Sequence, residues 1–197
     1  MINEKFVIVG VIIEFLGGLS YLIDTLKGKV KPNRVTFFLW SLSPAIAFAA
    51  QIKQGVGIQS LMTFVTGFVP FTIFLASFIN KKSYWKIKKF DLACGAISII
   101  GLILWQITGV GNIAILFSIF SEIFAVLPTL TKSYFYPETE SAYPYLTSTT
   151  NAGLTILTIK NWIFAQYAFP TYIFIINLII FILVKFRLGK KLLFSKI

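Results

Sequence analysis

Apolar residues run along this chain in blocks of about twenty, broken by short clusters of Lys, Gly, Pro and Asn. As a helix rising 1.5 Å per residue, a block of about that length spans the ~30 Å hydrocarbon core of a bilayer. The pattern predicts seven spans: Phe6–Ile23, Val35–Ile52, Ile58–Ile79, Leu92–Thr108, Asn112–Leu130, Ala142–Ile159 and Trp162–Val184. The sixth is the most polar, carrying Thr147, Ser148, Thr149, Thr150, Asn151, Thr155 and Thr158, and a hydropathy window alone would pass it over. The run from Phe6 is longer than the apolar core of a signal peptide, and no A-x-A-like cleavage site follows it, so it reads as the first span.

Charge settles the count and the direction. With seven spans and the N-terminus outside, the cytoplasmic side collects Lys27, Lys29, Lys31 and Arg34, then Lys81, Lys82, Lys86, Lys88 and Lys89, then Lys132, then Lys185, Arg187, Lys190, Lys191 and Lys196. That is fifteen basic residues inside, against Lys5, Lys53 and Lys160 outside. Without the sixth span the division falls to eleven against seven. The excess of Lys and Arg on cytoplasmic loops therefore favours seven.

Composition agrees. Hydrophobic residues are 57% of the 197, charged residues 13%, and the mean hydropathy is +0.83, with too little charge to cover a water-facing surface. The net charge of +11 sits in the gaps between apolar blocks, which points to a lipid headgroup surface rather than nucleic acid. Cys94 is the only cysteine and histidine is absent, which excludes an intramolecular disulfide and the usual zinc sites, and removes the usual general base near neutral pH. No metal and no cofactor are expected.

The two ends of the chain resemble each other. Spans one to three and five to seven run in the same directions, and the fourth is the connector that makes this possible. Asp24-Thr25-Leu26 lines up with Pro128-Thr129-Leu130; after a one-residue gap, Pro32, Trp40, Ser43 and Ala47 line up with Pro137, Tyr145, Ser148 and Ala152. The expected organisation is a first three-helix repeat over 1–80, a basic loop and linker helix over 81–111, a second repeat over 112–186 and a basic tail over 187–197. Parallel repeats of this kind are a transporter signature, with the solute site near the midplane at their interface.

This arrangement resembles the SWEET and PQ-loop superfamily, in which two three-helix bundles are joined by an inverting linker helix. Leu127-Pro128-Thr129 keeps the proline of the Pro-Gln pair without its glutamine, and Ile23-Asp24-Thr25 lacks both; Pro44 follows Asp24 at a hinge-like spacing. The resemblance implies an all-α membrane protein of 3+1+3 architecture, hinge roles for Pro44 and Pro128, and a solute-contacting asparagine on each of the third and seventh helices. Asn177 is the only asparagine deep within either.

Intramembrane carboxyls are the sharpest chemical signal, because an ionisable group at the bilayer centre costs ~2.5–3.5 kcal/mol on insertion scales and is functional by default. Glu14 and Glu122 lie near the middles of the first and fifth spans. They read either as proton-coupling or solute-contacting groups, or as protonated carboxyls bonded to a neighbouring helix. In the repeat register Glu122 matches Gly18, not Glu14, and Ser118, one turn back, offers Glu122 a hydroxyl. Asp24 reads as a solvated helix-end charge, or as a gate paired with Lys27 or Arg34. The stripe Thr147, Asn151, Thr155 and Thr158 either lines a wet cavity or binds other helices. Trp40, Ser43, Gln51 and Tyr145 supply aromatic, hydroxyl and amide groups on the second and sixth spans, and Thr66 and Asn177 are midplane candidates.

The expectation is a transporter that moves a small polar solute by alternating access: a sugar, or an amino acid or vitamin, with proton coupling available through the two glutamates. A receptor or sorting protein of the same fold would bind without flux. An enzyme is disfavoured, since no Gly-rich phosphate loop and no G-x-S-x-G motif occur. The expected setting is the plasma membrane, multi-pass, with the C-terminus cytoplasmic; homo-oligomers are compatible with it.

Overall fold

The computed structural model describes residues 2–108 and 111–189, so Lys190, Lys191 and Lys196 of the basic tail lie outside the described residues. Among these residues there are seven α-helices and no strand: α1 Phe6–Leu26, α2 Arg34–Lys53, α3 Ser60–Ala76, α4 Lys89–Thr108, α5 Gly111–Phe135, α6 Tyr143–Thr158 and α7 Phe164–Phe186. By length and composition α1, α2, α5 and α7 are long and apolar enough to cross a membrane; α3 is apolar but has 17 residues, and α6 has 16.

The breaks between helices follow from local chemistry. After α1 the chain turns at Gly28, whose φ of +74° suits a residue without Cβ. Asn33 then caps α2, its Oδ1 accepting from the backbone N–H groups of Val35 (3.1 Å) and Thr36 (3.4 Å), which would otherwise lack partners. Gly55, at +73°, ends the turn of chain that leaves α2. Pro44, Pro70, Pro128 and Pro170 lie inside α2, α3, α5 and α7, and each removes one intrahelical hydrogen bond.

Six helices close a ring in the order α1, α3, α2, α5, α7, α6, with each packing on its two neighbours; α4 lies outside it against α5 and α2. The ring is apolar outside and polar inside, the inverse of a water-soluble bundle. Phe15, Leu16 and Leu19 of α1 and Phe64, Phe68 and Phe71 of α3 are exposed, while Glu14, Ser43, Gln51, Glu122, Asn151 and Thr155 are buried. An apolar exterior of this extent matches lipid, in which polar side chains must find partners within the protein.

Candidate functional site

A cavity occupies the centre of the ring. Every one of the six ring helices contributes to its wall, with Glu14, Tyr21, Trp40, Thr66, Glu122, Tyr145, Ser148 and Asn177 supplying the polar and aromatic-polar groups. The remainder is aliphatic or aromatic, including Phe37, Val69, Ile73, Ile173 and Ile176.

Glu14 is held on three sides. Ser148 Oγ donates to its Oε1 at 3.0 Å, Asn151 Nδ2 donates to its Oε2 at 2.5 Å, and Thr66 Oγ1 lies 3.2 and 3.4 Å from the two oxygens. These donors come from α6 and α3, and α1 lets both approach because its contact face is glycine. A Cβ on Gly10 would collide with Asn151, one on Gly17 with Thr147, and one on Gly18 with Val69. The glycines flanking Glu14 in sequence are therefore what brings its partners within reach.

Glu122 is different. The Ser43 hydroxyl, 3.0 Å from Ser121 Oγ, also reaches the Glu122 carboxyl. Its Oε1 is buried without a hydrogen-bond partner, and so are the hydroxyls of Ser118 and Tyr172. The sequence offered Ser118 as the partner of Glu122; the structure does not make that bond.

Behind two of the lining residues, Tyr21 and Tyr145, lies a buried polar cluster. Glu140 Oε2 accepts from Tyr21 Oη at 2.7 Å and from Tyr145 Oη at 3.0 Å, while its Oε1 meets Lys132 Nζ at 2.7 Å. Lys132 also donates to the Lys31 carbonyl and lies 5.0 Å from the Trp85 ring centre. Four rings then run in series along the wall: Tyr21 to Phe37 (5.4 Å between centroids), Phe37 to Trp40 (5.3 Å) and Trp40 to Tyr145 (6.4 Å). Both ends of this aromatic arc are tied to the same carboxylate oxygen.

Of the residues singled out in the sequence, Glu14, Trp40, Thr66, Glu122, Tyr145 and Asn177 come together around the cavity. Asn177 turns its Nδ2 back to the Ile173 carbonyl at 3.0 Å. Thr147 and Asn151 face α1 rather than the cavity, and it is Ser148 that lines it. For Thr147 and Asn151 the structure thus shows helix packing against α1. Ser43 is buried between α2 and α5, and Gln51 donates to the Ala165 carbonyl at 3.1 Å, away from the cavity wall. Asp24 pairs with Lys29 at 3.9 Å, not with Lys27 or Arg34. Arg34 instead binds Ser77, through Nε to Oγ at 3.1 Å and an NH2 group to the carbonyl at 2.6 Å, and stacks on Phe78. Pro44 and Pro128 are both buried, Pro44 against Gly67.

Tyr21, Lys132, Glu140 and Ser148 were missed as site residues. Lys132 reads in sequence as a loop charge, yet it lies on α5 with its side chain 1% exposed. Ser148 carried a usable signal, its alignment with Ser43. Compared with known proteins, the chain matches no family model, no curated protein and no solved structure.

Proposed function

We propose that this chain is a seven-span membrane transporter of the SWEET and PQ-loop type, moving a small polar solute through the central cavity by alternating access. The observation that carries this reading is the cavity itself: all six ring helices wall it, and its polar groups include two buried carboxyls.

The ring order supports the division into two bundles. Within 1–3 the order is α1–α3–α2, within 5–7 it is α5–α7–α6, and the first helix of each half packs on the second helix of the other. The two carboxyls obey the same relation. Glu14 on α1 meets Ser148 on α6, and Glu122 on α5 meets Ser43 on α2, where Ser43 and Ser148 are the aligned pair of the sequence repeat. On this reading Glu14 and Glu122 are counterparts, displaced by one helical turn from the sequence register. Bundles rocking about α1–α6 and α2–α5 would open the cavity alternately, with α4 as the linker.

Flux through proteoliposomes carrying the purified protein tests this. Uptake of at least one solute from a panel of sugars, amino acids and vitamins should exceed that of protein-free vesicles and should fall in Trp40→Ala. Specific binding with no flux for any bound solute would instead establish a receptor. Orientation is tested separately: a cysteine at exposed Gln54 should react with an impermeant reagent on intact cells, and one at exposed Lys86 only after permeabilisation. The reverse pattern would place the N-terminus inside.

A further inference from the structure

Resting on the transporter reading, we propose that the solute carries a protonated amine, bound by Glu122 and the aromatic arc. The lining of the cavity contains two carboxyls and neither lysine nor arginine. The nearby buried cation, Lys132, is held by Glu140 and the Lys31 carbonyl, behind Tyr21 and Tyr145 of the wall.

The hydrogen-bonding balance points the same way. The hydroxyl and side-chain amide donors of the wall each make a bond within the protein: Thr66 and Ser148 to Glu14, Tyr21 and Tyr145 to Glu140, Asn177 to the Ile173 carbonyl. Among the described residues, the side-chain atom buried in that wall without a partner is Glu122 Oε1. A buried carboxylate left alone is costly, and a cation with N–H donors beside it offsets that cost. A neutral polyol would need several free donors and acceptors from the same wall, and five of its donor groups are already engaged.

The aromatic arc completes the complement. Phe37, Trp40 and Tyr145 follow one another in the cavity wall, and a desolvated cation within about 6 Å of a ring face is attracted by its negative π-face. Carboxyl and rings together select charge, where either alone would select only polarity or bulk.

The test uses the full chain in detergent and two isosteric pairs, methylammonium against methanol and benzylammonium against benzyl alcohol, with tryptophan emission as the readout and Trp40→Phe to assign it. In at least one pair the cation should act at about tenfold lower concentration than its neutral partner. The preference should disappear in Glu122→Gln and persist in Glu122→Asp, with melting temperatures reporting that both are folded. Equal responses to cation and isostere in the wild type overturn the proposal whatever the variants do, as does an undiminished preference in folded Glu122→Gln. In proteoliposomes, cation binding without flux overturns the transporter reading and leaves the cation site. Flux of a neutral solute that these amines do not compete overturns the cation site and leaves transport.

Discussion

The Lys132 ammonium and the Glu140 carboxylate meet at 2.7 Å with their side chains 1% and 0% exposed. A buried ion pair need not stabilise more than a well-packed apolar pair, but removing one partner leaves an uncompensated charge and costs about 3–5 kcal/mol. Lys132→Met should therefore lower stability by about that amount, and adding Glu140→Gln should recover most of the loss. The measurement is denaturant or thermal unfolding in one detergent for both singles and the double. If the double falls by the sum of the singles, the two groups act independently and are not a coupled buried pair.

At Gly17 a Cβ would stand 2.8 Å from Thr147 Cβ and closer to its hydroxyl, so the α1–α6 contact has no room for even one methyl group. Overpacking of this kind costs about 1–3 kcal/mol. Gly17→Ala should destabilise within that range, and Thr147→Ala should restore part of the loss in the double variant by removing the hydroxyl and γ-methyl, two of the three atoms nearest the new methyl. Gly55 is the control, having no atom within 4 Å of an added Cβ and only its positive φ to strain. If Gly17→Ala melts like the wild type, α1 and α6 are not packed as described.

Most of the helices were legible because lipid demands long apolar runs with polar breaks, and those runs survive any uncertainty about partners. The ends of α5 were harder. Its last turns, through Lys132 to Phe135, look like loop by hydropathy, yet Lys132 stays helical because Glu140 returns from the following segment to meet it. That contact depends on tertiary structure, and sequence spacing carries no trace of it. The polar stripe on α6 was visible, but its facing was not. Thr147 and Asn151 point at Gly17 and Gly10, and only the packing partner reveals that a hydroxyl beside a glycine is a contact and not a wall of a cavity.

That distinction can be measured on α6. A cysteine at Ser148, on the cavity wall, should react with a small polar thiol reagent, while cysteines at Thr147 and Thr155 should stay protected. Rates spread evenly along the helix, or faster at Thr147 than at Ser148, would show that the stripe faces water after all. Cys94, which is buried, has to be replaced by alanine first to give a silent background.

Glu14 and Glu122 separate when assembly and transport are measured side by side. Glu14 accepts from Ser148, Asn151 and Thr66, so it ties α1 to α3 and α6 at once. Glu14→Leu leaves three buried donors without their acceptor, at about 1–3 kcal/mol for each one that finds no substitute, and should lower the melting temperature or prevent folding. Glu122 has no partner at Oε1, so Glu122→Gln breaks no bond through that atom, and the amide can still accept from Ser43 through its oxygen. It should fold with a stability within about 1 kcal/mol of the wild type. What glutamine cannot do is ionise, so on the transporter reading uphill uptake driven by a pH gradient in proteoliposomes should be lost, while downhill exchange survives at the weaker affinity that loss of the carboxylate gives. Retention of uphill uptake with its wild-type pH dependence would remove Glu122 from coupling. In that case Glu14, the other carboxyl on the cavity wall, becomes the group to titrate, and the milder Glu14→Gln the variant to make.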